Sequence, residues 1–407
     1  MSRGATSVGS ALFLSMLLFV APAFAQQDPN GPDPSKVKVR LGPVSLNPSI
    51  SVANVGVDSN VFNEATDPKH DFTATVSPRT ELYLRFLGTW FTGLVNEDLV
   101  WYQTYSSERQ ANTTYGLAWK WPLTRLTVNT SATHTSTRER SGYEIDAHAK
   151  RAQNAFSAGA SFRLLVNTGI EFTARRDTTN YDSAAQFDGV NLHDELNVNG
   201  TTMTVGLAQK LTPLTTATIA VSRREDRFPF NPLRDSNKTE TRLSVAFDPM
   251  ALLKGNLSVG YTDFQPLSPT FPKYTGATLA ASLSYTLSEV TKLTLTADRQ
   301  VQNSYDITQP YFIQSGVALD IAQQVYDHFD LVGRGGFESL DYRDRQDVLV
   351  DFANRTDHVF RYGAGVGYHQ GKNLRIGFNF DQARRDSVIG SRAFTRPTFG
   401  TSVTYDF

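Results

Sequence analysis

The chain contains no cysteine, which excludes an exported scaffold stapled by disulfides. It has no excess of charge either, with 39 basic residues against 40 acidic. No basic stripe and no aromatic-basic repeat is present, so the pattern does not point to nucleic acid. Beyond residue 20 no stretch approaches the roughly 18 uninterrupted apolar residues of a membrane helix. The seven histidines, His70, His134, His148, His193, His328, His358 and His369, are scattered. None falls in an HExxH spacing and no two lie close enough to suggest a metal pair. GxSxG and P-loop motifs are also missing. His193-Asp194-Glu195 sets a histidine beside two carboxylates, but in a polar loop, where a solvated segment explains it better than a general base. No catalytic residue, cofactor or metal is expected.

What is present begins with an export signal. Ser2-Arg3 is basic, Ala11–Val20 is apolar, and Ala23-Phe24-Ala25 is a small-residue cleavage site. The apolar run is too short to anchor the chain and Pro22 follows it, so residues 1–25 read as a cleaved signal peptide. Residues 26–43 are rich in Pro, Asp and Lys without a period and read as a short periplasmic tail, too small for a plug or a domain.

From Val44 to Phe407 a two-residue alternation dominates, and the 26 Phe and 16 Tyr are strand formers. Phe72, Ala74, Val76, Pro78, Thr80, Leu82, Leu84 and Phe86 share one strand face. Tyr115, Leu117, Trp119 and Trp121 share another, as do Phe360, Tyr362, Ala364, Val366 and Tyr368. The opposite faces carry Gly, Ser, Thr, Asn and scattered charge. The chain ends on such a strand, with Phe399, Val403, Tyr405 and Phe407 on one face. A soluble sheet rarely stops on an unprotected aromatic edge, whereas a barrel closes its last strand on its first. Val403, Tyr405 and Phe407 resemble the C-terminal assembly signal of outer-membrane barrels.

Short links, such as Pro122–Thr124 and Val166-Asn167, alternate with long polar ones, such as Arg138–Arg151 and Tyr181–Leu196. That asymmetry and the alternation predict an all-β fold: a single closed antiparallel transmembrane β-barrel of about 18 strands, between 16 and 20. An even count leaves both termini in the periplasm, and a barrel of this size holds a water-filled lumen. By parity Glu171, Arg175, Arg224, Arg334, Glu338, Arg361, Arg375 and Asp381 line that lumen, with Asp320 at the margin of the set. Such a wall selects solutes by field and hydrogen bonding, or merely hydrates itself by pairing across strands. Phe228, Phe230, Phe264, Phe271, Tyr274, Tyr305, Tyr311 and Phe352 are read as loop aromatics, able either to stack on sugars or to pack the mouth.

The first strands carry a more specific signal: Leu41–Val52 with two prolines, Asp58-Ser-Asn-Val-Phe62, and Asp71–Pro78. These stretches resemble the outer-membrane β-barrel porins associated with surface-polysaccharide and exopolysaccharide export. Ser59 departs from the second acidic residue more usual there. The resemblance implies an integral outer-membrane pore of a Gram-negative cell that completes a polysaccharide secretion route. A separate periplasmic export protein, the barrel assembly machinery, and outer-membrane lipid with lipopolysaccharide would be its partners. The alternative is a general diffusion porin for small hydrophilic solutes. Its mark is a long inward-folded constriction loop, and the loops here are of only moderate length.

Overall fold

The computed structural model describes residues 37–406 apart from 249–250, 327 and 372. The expected signal peptide, most of the tail and Phe407 lie outside the described residues. Eighteen long strands form the wall: β1 Val44–Asp58, β2 Asp71–Phe86, β3 Thr89–Tyr102, β4 Gln110–Pro122, β5 Leu126–Thr137, β6 Arg151–Arg163, β7 Thr168–Tyr181, β8 Val198–Thr212, β9 Thr215–Arg227, β10 Ser236–Phe247, β11 Leu253–Pro266, β12 Tyr274–Leu287, β13 Thr291–Asn303, β14 Tyr311–Val325, β15 Phe329–Arg343, β16 Thr356–Gln370, β17 Leu374–Asp386 and β18 Phe394–Asp406. Each pairs antiparallel with its neighbours in sequence, and β18 closes on β1 with Val52 opposite Val403 and Ile50 opposite Tyr405. The sheet is a closed 18-strand barrel, as the alternation predicts. Val39–Leu41 folds back as a small hairpin on the start of β1.

The closing seam needs a local irregularity. The register shifts between Val52 and Val55, where Asn54 adopts a φ of 53°. This is a β-bulge, and Asn tolerates the left-handed region better than most residues. Beside it a Cβ on Gly56 would stand 1.9 Å from the Phe399 carbonyl oxygen, so only glycine lets the first and last strands meet.

Apolar side chains of matching parity face outward around the wall. Phe72, Leu117, Phe156, Met203, Ile219, Leu257, Phe378, Phe399 and Tyr405 are all exposed. In lipid this belt is satisfied rather than stranded, because a closed ladder leaves no backbone group unpaired. Links at one rim span two to five residues and those at the other seven to sixteen. Leu87 and Gly88, both with positive φ, make one of the tight two-residue turns. Both ends of the barrel chain, Val44 and Asp406, lie at the short-turn rim.

The buried apolar clusters sit near the long-loop end. One joins Ile145, Ala149, Tyr181, Ala185, Leu192, Leu196 and Tyr305; another joins Phe312, Leu340, Tyr342 and Val359, with Tyr143 packed against it. The loop between β7 and β8 contains the one α-helix among the described residues, Leu192–Leu196, capped by the Asn191 side chain.

Candidate functional site

The site is the bore. On its inner wall the strands carry ladders of opposite charges, and the register decides who meets whom. Arg224 on β9 donates both terminal nitrogens to the Asp177 carboxylate on β7 at 2.9 Å and lies 2.8 Å from Asp226. Arg175 lies 3.5 Å from Asp177. Arg334 bonds Asp381 at 2.9 Å, and Asp320 stands opposite Arg334 in the ladder. Arg375 grips Asp330 at 2.6 and 2.8 Å, with His369 Nε2 2.6 Å from the same carboxylate. Glu338 is buried and accepts from Gln314, while Arg361 donates to the Tyr143 hydroxyl. Glu171 shares the inner face of β7 and makes no ion pair among the described residues. Glycines let these groups lie flat: a Cβ on Gly316 would fall 2.0 Å from Glu338, and one on Gly367 2.5 Å from Arg375. By contrast Gly333 and Gly335 face open space on the outer side.

The long-loop mouth is occupied. Residues 138–150 leave β5, seven strands from β16 by the shorter way round, yet reach β15–β17. Such contacts require the loop to cross the bore. Arg385 of β17, itself buried, donates to the Tyr143 carbonyl at 2.8 Å and the Glu144 carbonyl at 3.2 Å. It also pairs with Asp146 and with the fully buried Asp357. Arg392 donates to the Glu144 carbonyl and, at 2.9 Å, to the Tyr305 hydroxyl. The Glu144 carboxylate accepts from the Ser304 hydroxyl at 2.6 Å and the Tyr305 N–H at 3.1 Å. Burial raises its carboxyl above the ordinary range, against the pull of Ser304, Arg392 and Arg355. From another side Arg234 ties Glu195 of the β7–β8 loop to the carbonyls of Ser304 and Tyr305.

The same loop is held from the near wall. Arg140 donates to the Val61 carbonyl; its guanidinium is brought down to about 10 by burial and the neighbouring Arg396. His148 Nδ1 lies 2.7 Å from the Glu108 carboxylate. Burial lowers the His148 imidazole, and the bond from His148 holds Glu108 below its usual range. A neutral imidazole donating Nδ1–H to an ionised carboxylate satisfies both tendencies.

Two expectations change. A moderate loop does fold inward, because docking is decided by buried partners on the far wall and not by length. Glu144, Arg234, Asp330, Asp357, Arg385 and Arg392 carry no short-range sequence signal of this role; for the loop itself, the apolar Tyr143 and Ile145 inside a polar segment are the available one. Of the aromatics, Phe228, Phe264, Phe271, Tyr305 and Tyr311 are buried, which favours mouth packing, while Phe230 and Phe352 stay exposed. Phe264, Tyr274 and Tyr311 belong to strand ends and not to loops. His193 sits on the short helix beside Asp194 and Phe230. Among the described residues no group of three or more His, Asp or Glu could hold a metal.

Solved structures with this architecture share little sequence with it. A BenF-like porin from Pseudomonas fluorescens Pf-5 is 11% identical, with 90% of this chain and 100% of that one covered, at a TM-score of 0.52. OccK2 (OpdF) of Pseudomonas aeruginosa is 9% identical over 89% and 98%, at 0.49. A bacterial polysaccharide outer membrane secretin is 8% identical over 89% and 98%, at 0.37. No curated protein matches the chain. The family described as "Putative beta-barrel porin 2" matches residues 33–407, and with its closed 18-strand barrel and apolar outer belt the chain belongs to that family of outer-membrane β-barrel porins.

Proposed function

We propose that this porin is a gated conduit that passes a surface polysaccharide outward and does no chemistry on it. One observation carries the direction. The long-loop mouth is obstructed by docked loops, whereas the short-turn mouth has only links of two to five residues. In outer-membrane barrels short turns are periplasmic. Both termini then lie in the periplasm, and cargo enters from that side. The first-strand resemblance to export-associated porins supports polysaccharide as the cargo, and the Gly, Ser, Thr and Asn of the inner wall offer the weak polar contacts an extended glycan needs. A separate periplasmic export protein at the short-turn rim, the assembly machinery, and lipid with lipopolysaccharide around the belt complete the proposal.

A second reading, a diffusion porin for small hydrophilic solutes, is favoured by the inward fold of residues 138–150, which narrows the bore as a constriction loop would. Deleting the gene separates the two. Loss of surface polysaccharide supports export; unchanged polysaccharide with slowed uptake of small hydrophilic solutes overturns it in favour of diffusion.

A further inference from the structure

At the short-turn mouth, Arg85 is the penultimate residue of β2, Arg163 the last of β6 and Lys210 the third from the end of β8. Lys254 and Lys292 are the second residues of β11 and β13, and Lys120 lies near the end of β4. All have inward parity. They are far apart in sequence, and only closure of the barrel brings them to one rim.

Around Arg85, Arg163, Lys210, Lys254 and Lys292 the surroundings offer little compensation. Cross-strand partners are Trp90 for Arg85, Gly169 for Arg163, Thr216 for Lys210, Ser284 for Lys254, and Thr286 and Ala322 for Lys292. Arg85 lies over the Trp90 ring and Arg163 donates to the Thr124 carbonyl, but these five make no ion pair among the described residues. The nearby carboxylates are few: Asp330 is already held by Arg375 and His369, Glu81 is bonded by Arg79, Glu171 is the fourth residue of β7, Asp406 ends β18, and Asp248 and Glu289 lie in turns. At the opposite mouth the arginines are spent on carbonyls and carboxylates of the docked loops.

We propose that this arc of cations, running from β2 round to β13, is an electrostatic vestibule and that the cargo is an anionic glycan bearing carboxylates, such as a uronate polymer. The proposal deepens the export reading and rests on it for direction. An arc of like charge at a low-dielectric mouth concentrates a polyanion before it threads, with no single tight site. Inward parity directs the cations at cargo in the bore and away from lipid headgroups outside the wall.

The test uses the full-length protein in detergent and fluorescent oligogalacturonate, with labelled maltooligosaccharide as the neutral control. Wild type should bind the uronate about tenfold or more tightly than the neutral sugar, and this preference should fade between about 50 and about 500 mM NaCl as the field is screened. K210Q/K254Q/K292Q should lose the preference, and K210R/K254R/K292R should keep it, with heat-modifiable gel migration confirming that both fold. Equal affinity for the two sugars, or an unaltered preference in the Gln variant, overturns the vestibule. In cells the two readings part: normal surface polysaccharide after gene deletion sinks export whatever the binding result. Lost polysaccharide in the deletion, restored fully by the Gln variant, sinks the vestibule while export stands.

Discussion

Arg385→Met tests whether buried charge holds the loop across the bore. Methionine keeps much of the volume but removes the donor that reaches the Tyr143 and Glu144 carbonyls at 2.8 and 3.2 Å and the Asp146 carboxylate at 3.3 Å. It also strands Asp357, which is fully buried; Arg355, 3.9 Å away, recovers only part of that pairing. Removing one partner of a buried pair costs about 3–5 kcal/mol. Assigned to loop docking, that shifts the docked-to-free ratio by roughly 150- to 5,000-fold. The assay is limited proteolysis of intact barrels, scored for cleavage within residues 138–150, alongside single-channel conductance in planar bilayers. The variant should migrate as a folded, heat-modifiable barrel, be cut rapidly in that loop and open more often. A folded variant with wild-type protection and wild-type conductance would refute the reasoning, since the loop would then be held by something other than these bonds.

Three further outcomes follow from other parts of the molecule. Gly56→Ala should greatly reduce the yield of closed barrel on heat-modifiability gels, because the new Cβ meets the Phe399 carbonyl at 1.9 Å; normal assembly would show that the seam can shift. Phe407→Ser should lower insertion into the outer membrane if the terminal aromatic is an assembly signal, and wild-type levels would count against it. Loop protection should fall on acidification: His148 and Glu108 are lowered from ordinary values of 6.5 and 4.5, so each holds fewer protons in the native state and their contribution is lost as pH drops below those values. Glu144, raised by burial, acts in the opposite sense, so the clearest comparison is Glu144→Gln with and without His148→Gln. A protection profile between pH 6.5 and 5 that His148→Gln leaves unaltered would remove the imidazole from the account.

Much of the wall was readable from residues alone. Strand identity and the outward face follow from a two-residue period imposed by the pleat of each strand, so Phe72 to Phe86 and Phe360 to Tyr368 declare their faces without reference to any partner. The contrast between Leu87-Gly88 and the sixteen residues from 182 to 197 is likewise local, and it distinguishes a short-turn rim from a long-loop rim. Closure decided the rest. Arg361 meets Tyr143 across 218 residues and Arg385 meets Glu144 across 241, and no short-range pattern encodes either meeting. Loop length was a poor guide to inward folding, because what docks a loop is a set of buried donors on the far wall. The rim cations read in sequence as isolated strand-end residues, and they become one feature only when eighteen strands share a mouth. Periodicity is a property of the backbone and travels with the sequence; a field or an ion pair depends on distances that exist only after the barrel has closed.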